Sequence, residues 1–228
     1  MCVYTIAAVP VRAFLFDFDG LILDTETASR AGWQWLYREL GHELPPDKWA
    51  LMVGTVDGWD IWGYLEELHG EPLDRASWNE KRYAHELGLL EAEELRPGIA
   101  DYLSYAQTHS VKRAIVSSAS RRWIDMHLER LEREVGWDAI VTADHDPVRA
   151  KPRPTLYLEA LDELGVGADE AVAFEDSPNG ASAAKAAGIY VVGIPNTVTA
   201  DMGLEGPADV VVDSLADLAP ADLVASLA

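Results

Sequence analysis

From residue 97 onward, short apolar runs alternate with segments of helical period, and no other feature constrains the fold as much. Residues 112–116, 138–142, 171–174, 189–194 and 209–212 read as strands. Residues 97–108, 121–134, 154–164, 178–187 and 215–226 read as the helices that precede, separate and follow them. A strand-helix alternation of this kind predicts a doubly wound α/β fold, a parallel sheet with right-handed crossovers and helices on both faces. Residues 11–16, apolar except for Arg12, supply one further buried strand ahead of that series. In such a sheet ligands bind beyond the carboxyl ends of the strands, so the residues that end strands carry the functional information.

Between the first strand and the rest lies a stretch with no strand pattern, residues 25–93. Thr25 is placed to cap a helix over 26–40 that Gly41 stops. Pro45-Pro46-Asp47 opens a second helix through Met52, Gly54 to Gly58 break the pattern, and 59–68 and 77–90 follow as helices. The expected organisation is a core of residues 1–24 and 94–228 with an α-helical cap, 25–93, inserted beside a strand's carboxyl end as a lid. Six of the eight tryptophans fall in this insertion, which argues for an aromatic bundle core. Trp33, Trp35 and Trp59 are placed on its cleft side, suited to the apolar face of a sugar or another organic group. Lys81 and Arg82 read as exposed, and residues 200–208 as a surface loop.

Against 39 Asp and Glu stand only 18 Lys and Arg, a net charge of −21. Such a field repels nucleic acid and anionic membrane surfaces, so neither is expected as a partner, and it attracts divalent cations. The lone cysteine, Cys2, allows no internal disulfide and no cysteine metal cluster. The first eleven residues are too short for a signal peptide, and no apolar run approaches a membrane span. A cytoplasmic protein is expected, with a monomer and a weak dimer both left open.

The first strand runs into Asp17-Phe18-Asp19-Gly20. Side chains two apart in an extended chain leave on the same side, Cα atoms roughly 6.6 Å apart. Two carboxylates sharing one pocket require a cation or a shared proton between them. Asp-x-Asp-Gly alone also fits many turns, so the other strand ends decide. After 114–116 comes Ser117-Ser118-Ala119-Ser120, whose hydroxyls and backbone N–H groups suit an anion such as phosphate, although Ser120 fits a helix cap equally well. Lys151-Pro152 follows the loop 144–150. After 171–174 come Glu175-Asp176-Ser177-Pro178-Asn179-Gly180, with Ser177 as N-cap and Pro178 at the first helical position. Four carboxylates, a lysine and a hydroxyl at one sheet edge suit a hard cation such as Mg²⁺ together with phosphate.

Taken in order, these motifs resemble the haloacid dehalogenase superfamily, in particular its phosphatase branch with a helical cap after the first strand. Within it the chain is similar to the β-phosphoglucomutase-like and sugar-phosphate phosphatase group. The resemblance covers essentially the whole chain. It implies a Mg²⁺-dependent phosphatase acting on a small phosphorylated metabolite, a sugar phosphate or similar monophosphate. Asp17 would be the nucleophile that becomes an aspartyl phosphate, and Asp19 the acid that protonates the leaving oxygen and then the base that activates water. Ser118 and the Ala119 N–H would bind the transferring phosphoryl group, the register against Ser117 being open by one residue, and Lys151 would offset charge. Mg²⁺ would be held by Asp17, the Asp19 carbonyl, Asp176 and Glu175. Gly20, Asp24 and Thr25 would form the hinge from which the cap departs. The presence of Asp19 argues against a dehalogenase.

Two departures bear on the substrate. Ser29 stands where the mutases carry a histidine, and Gly54-Thr55-Val56-Asp57 offers no arginine for a distal phosphate. Hydrolysis of a monophosphate is therefore expected over a β-phosphoglucomutase-type transfer. A non-catalytic phospho-acceptor of the receiver type shares the acidic pocket, lysine and hydroxyl. It lacks both the second aspartate's role and a lid.

Overall fold

A computed structural model describes residues 10–49, 51–52, 59–131, 136–144 and 146–228. Six parallel strands form one sheet: β1 (Ala13–Phe16), β2 (Lys112–Ser117), β3 (Ala139–Thr142), β4 (Ala171–Glu175), β5 (Tyr190–Gly193) and β6 (Val210–Val211), in the order β3-β2-β1-β4-β5-β6. The expected α/β class is what forms. Alternate residues divide between two buried faces. Leu15, Val116, Ala173 and Val191 pack with α7 (Thr155–Leu164) and α8 (Pro178–Ala186). Phe14, Phe16, Ile115 and Phe174 pack on the other face with α5 (Ile99–His109), α6 (Arg121–Arg130) and α9 (Pro220–Ser226). There Phe16 and Phe174 stack at 4.8 Å between ring centroids.

The chain leaves β1 for β2 and β3 on one side and returns to β4, β5 and β6 on the other. The carboxyl end of β1 is thus the point where the winding reverses, and the neighbouring crossovers diverge to leave a crevice there. Phe16 pairs with Ile115 and Phe174, which sets the next residue, Asp17, between the ends of β2 and β4.

Among the described residues four helices lie between β1 and α5: α1 (Thr25–Glu39), α2 (Pro46–Trp49), α3 (Ile61–His69) and α4 (Arg75–Leu90). Trp33, Leu36, Tyr37, Trp49, Ile61 and Leu65 form their own buried cluster. Several helix starts differ from the sequence expectation because an aspartate competes for the cap. Asp24, Asp60 and Asp74 accept from the N–H groups of Thr27, Gly63 and Ser77 as N-caps, which starts α1, α3 and α4 at Thr25, Ile61 and Arg75. The second helix ends at Trp49 and not at Met52. The closing helix is also divided. A 3₁₀ turn over Leu215–Asp217 precedes α9, because Pro220 takes the first helical position and cannot continue a helix from before it. The loop 200–208 forms turns, yet Leu204 within it is buried against Gly193. Among the described residues no helix is long and apolar enough to cross a membrane.

Candidate active site

Asp17 leaves the end of β1 with its backbone N–H bonded to the carbonyl of Phe174 at 3.0 Å. Glu175 is the last residue of β4, Ser117 the last of β2, and Lys151 follows the loop after β3. The sheet register brings Asp17, Ser117 and Glu175 to one edge, and the loop after β3 brings Lys151 to them. Lys151 Nζ donates to Asp17 Oδ1 and to Glu175 Oε1, the latter at 2.6 Å, with the lysine 3% exposed. Tyr157, from α7, donates its hydroxyl to the same Glu175 oxygen. Glu175 Oε2 is buried with no hydrogen-bond partner among the described residues. Asp17, Glu175 and Asp176 present carboxylate oxygens within 4.8 Å of one another. One lysine cannot balance three buried carboxylates. Burial pushes Asp17 up, partly offset by Lys151, and pushes Glu175 up to about 7. Asp176 rises further, from burial and then the nearby Asp17. Burial works against the Lys151 ammonium, but Asp17 and Glu175 more than reverse that and keep it charged. All-oxygen donors, an orphaned carboxylate oxygen and excess buried negative charge fit a divalent cation.

Two glycines make the approach possible. Gly20 adopts φ +78°, and a Cβ there would lie 2.3 Å from Asp176 Oδ2. At Gly180 a Cβ would lie 1.9 Å from Glu175 Oε2. Asn196, beyond β5, donates Nδ2 to Asp176 Oδ2 at 2.7 Å and to the Gly20 carbonyl at 3.3 Å. Arg96 donates to the carbonyls of Gly20 and Pro195, tying the end of the helical insertion back to its start. Ser177 accepts from the Gly180 N–H, the cap expected for α8.

Asp19 lies beside this cluster. Its Oδ1 accepts from Thr25 Oγ1 at 2.8 Å and Trp123 Nε1 at 2.7 Å, and Ser117 Oγ approaches Oδ2 at 3.4 Å. Burial and then Asp17 raise the Asp19 carboxyl to about 6 against these donors. Thr25 thus serves Asp19 and not a helix cap. Ser118 Oγ accepts the Lys151 N–H at 3.2 Å, and Ser117 Oγ accepts the Ala119 N–H at 3.0 Å. Ser120 caps α6 by accepting from the Trp123 N–H.

A cleft of about 740 Å³ opens from Asp19 between α1, α4 and α6, lined among others by Glu26, Ser29, Tyr83, Glu86 and Trp123. Burial and then Asp19 push the Glu26 carboxyl up to about 8. The tryptophans expected on this cleft pack within the helical insertion instead. Trp33 meets Trp62 edge to face at 5.0 Å, Trp35 stacks on His85, and Trp59 lies against Tyr64. Arg82 is not exposed: it is buried, paired with Glu86 and set over the Trp33 ring. Lys81 does lie at the surface, its ammonium 4.2 Å from the Trp78 ring centroid. Residues 54–57, where a distal-phosphate arginine is missing from the sequence, lie outside the described residues.

Trp123, Tyr157, Asn196 and Arg96 did not stand out in the sequence. Trp123, Tyr157 and Asn196 lie near the ends of elements at the site, where an uncharged side chain has no spacing signature, and Arg96 is charged but stands in the segment leading into α5, away from any strand end. Only the polar pair Asn196-Thr197, following the fifth strand after Pro195, could have pointed to Asn196.

The model of the haloacid dehalogenase-like hydrolase family matches residues 14–194. YhcW of Bacillus subtilis (strain 168) is 40% identical over 195 residues, 86% of this chain and 88% of its own. Validoxylamine A 7′-phosphate phosphatase of Streptomyces hygroscopicus subsp. limoneus is 31% identical over 209 residues, 91% of this chain and 95% of its own. Among solved structures, CbbY from Rhodobacter sphaeroides in complex with phosphate is 30% identical with a TM-score of 0.70, covering 91% of this chain and 96% of that one. The chain belongs to the haloacid dehalogenase-like hydrolases and is a phosphoric monoester hydrolase.

Proposed function

We propose that the chain hydrolyses the monophosphate of a small metabolite, a sugar phosphate or similar compound, through an aspartyl-phosphate intermediate and with Mg²⁺. The observation that carries this reading is the bridge of Lys151 to Asp17 and Glu175 beside the orphaned Glu175 oxygen and Asp176. A carboxylate is a poor nucleophile towards a phosphate until positive charge offsets the repulsion, and Lys151 sits where that charge is needed.

Asp17 would attack phosphorus as the bond to the leaving oxygen breaks, and Asp19 would give that oxygen a proton. Asp19 would then take a proton from the water that attacks the aspartyl phosphate, releasing inorganic phosphate and restoring Asp17. Ser118 Oγ accepts from the Lys151 backbone, so its own proton is free for a phosphoryl oxygen, with the Ala119 N–H turning from Ser117 to assist. The geometry favours Ser118 over Ser117 in this role, since Ser117 is turned to Asp19. Asp17, the Asp19 carbonyl, Asp176 and Glu175 would hold Mg²⁺, which when bound would neutralise charge on the phosphoryl oxygens. Residues 25–93 would act as a lid hinged at Gly20, Asp24 and Thr25.

The cleft has room for a sugar-sized leaving group. The phosphate named for one relative, validoxylamine A 7′-phosphate, and the molecule in complex with CbbY, xylulose-1,5-bisphosphate, are polyhydroxylated phosphates and support a sugar-phosphate class. Pairing of Arg82 with Glu86 withdraws one lid cation from a second phosphate, which supports a monophosphate over a mutase substrate. Phosphate release from 4-nitrophenyl phosphate should require Mg²⁺ and vanish in Asp17→Asn; absence of any release by the wild type would overturn the reading. Incubation with β-glucose 1-phosphate and a bisphosphate primer should give no glucose 6-phosphate.

A further inference from the structure

The carboxyl of Asp19 is held by a residue that none of the motifs contains. Trp123 stands on the first turn of α6, and its indole N–H donates to Asp19 Oδ1 at 2.7 Å. Thr25 donates to the same oxygen at 2.8 Å. Among the described residues the other oxygen, Oδ2, has only the longer 3.4 Å approach of Ser117. The second torsion of an aspartate is broad, so the direction of its oxygens is set by donors and not by a rotamer well. Two donors on one oxygen fix the plane of the carboxyl. They also mark Oδ1 as the oxygen without a proton, because an oxygen that accepts two short hydrogen bonds has little capacity left to carry one.

The indole is itself braced. His127, one turn further along α6, meets it edge to face with centroids 4.2 Å apart. Tyr83, on α4, lies 5.9 Å away on the opposite wall of the cleft. The Trp123 ring therefore touches the acid-base candidate with its edge and the helical insertion with its flank.

We propose that Trp123 is a positioning residue for proton transfer: it pins Oδ1 of Asp19 and leaves Oδ2 to give and take the proton. This rests on the acid-base role of Asp19 given above. In the first step the bond from phosphorus to the leaving oxygen breaks, Asp17 gains the phosphoryl group, and the proton on Oδ2 passes to the leaving oxygen. In the second step Oδ2 receives a proton from the attacking water.

Leaving groups separate this role from a packing role. A nitrophenolate leaves without a proton, whereas an alkoxide needs one. Trp123→Phe keeps a ring against His127 and Tyr83 and removes the N–H. We expect kcat/KM for an alkyl phosphate such as glucose 6-phosphate or glycerol phosphate to fall about 10- to 100-fold. The value for 4-nitrophenyl phosphate should stay within about threefold. Thr25→Val, which removes the other donor to Oδ1, should lose more activity with the alkyl phosphate than with 4-nitrophenyl phosphate. Equal losses with both leaving groups, or no loss with either, overturn the proposal while leaving the hydrolase reading intact. A wild type inactive towards both removes the hydrolase reading, and this proposal with it. A second measurement needs no turnover. In a ¹⁵N-labelled wild-type protein the Trp123 indole resonance, identified by its absence from Trp123→Phe, should move upfield in Asp19→Ala; an unmoved resonance overturns the hydrogen bond on which the proposal stands.

Discussion

Lys151 is the cation paired with two of the three buried carboxylates. Replacing it with methionine leaves Asp17 and Glu175 buried without their cation, and loss of one partner of a buried pair costs about 3–5 kcal/mol. The deficit should depend on pH. Both carboxylates already sit above their ordinary values, Glu175 at about 7, and removal of the lysine raises them further. A carboxyl raised in the folded state contributes its stability below its unfolded value and loses it as pH rises through the folded one. Urea melts should therefore show a larger penalty for Lys151→Met at pH 8 than at pH 5. A penalty independent of pH would contradict this account. At Gly180 a single methyl meets Glu175 Oε2, so Gly180→Ala should displace the carboxyl that Lys151 and Tyr157 hold. A tenfold or greater loss of Mg²⁺ affinity by calorimetry is expected, on the order of the effect of disturbing groups around a metal site.

Helix α6 shows how one element carries several functions. Ser120 caps it, Trp123 faces Asp19, and His127 points inward. The His127 ring is buried with neither nitrogen hydrogen-bonded among the described residues, packed on Trp123 and Phe18, and burial followed by the nearby Arg130 lowers it to about 4. The unfolded chain takes up that proton near pH 6.5 and the folded chain only near 4. Stability should thus fall by on the order of 2 kcal/mol as pH drops across that window. His127→Leu should flatten this part of the stability-pH curve relative to wild type, measured by denaturant melts from pH 7 to 4. Unchanged slopes would show that His127 takes up its proton over the same pH range in the folded and the unfolded chain. At α1 the competition between Asp24 and Thr25 for the cap was not decidable from sequence, since both residues cap well. Asp19 decides it by engaging the Thr25 hydroxyl.

On the scale of the whole molecule, the switch point at β1 collects side chains from four strand ends and from both ends of the helical insertion. Arg96 links Gly20, where the chain departs for the insertion, to Pro195 beyond β5, so these segments should lose structure together. A cation bound only by the folded state adds about 2.7 kcal/mol at one hundred times its dissociation constant. For a chain of 228 residues that corresponds to a rise in Tm of roughly 5–10 °C, read by calorimetry with and without saturating Mg²⁺. Asp176→Asn should lose most of this rise, and a full rise in that variant would place the cation elsewhere.

Much was legible before any coordinates. The strand-helix alternation determined the doubly wound class, because period and punctuation are local properties of the chain. Asp17, Asp19, Lys151, Glu175 and Asp176 were visible because charged residues at the ends of apolar runs stand out against their neighbours. Tertiary structure decided which oxygen meets which donor. Asn196, Tyr157 and Trp123 reach the site from residues 20, 18 and 104 positions away from their partners. It also moved Trp33, Trp35 and Arg82 from the expected cleft or surface into the packing of the insertion. A helical segment shows which residues share a stripe, but the partner helix decides whether that stripe meets another helix or the cleft.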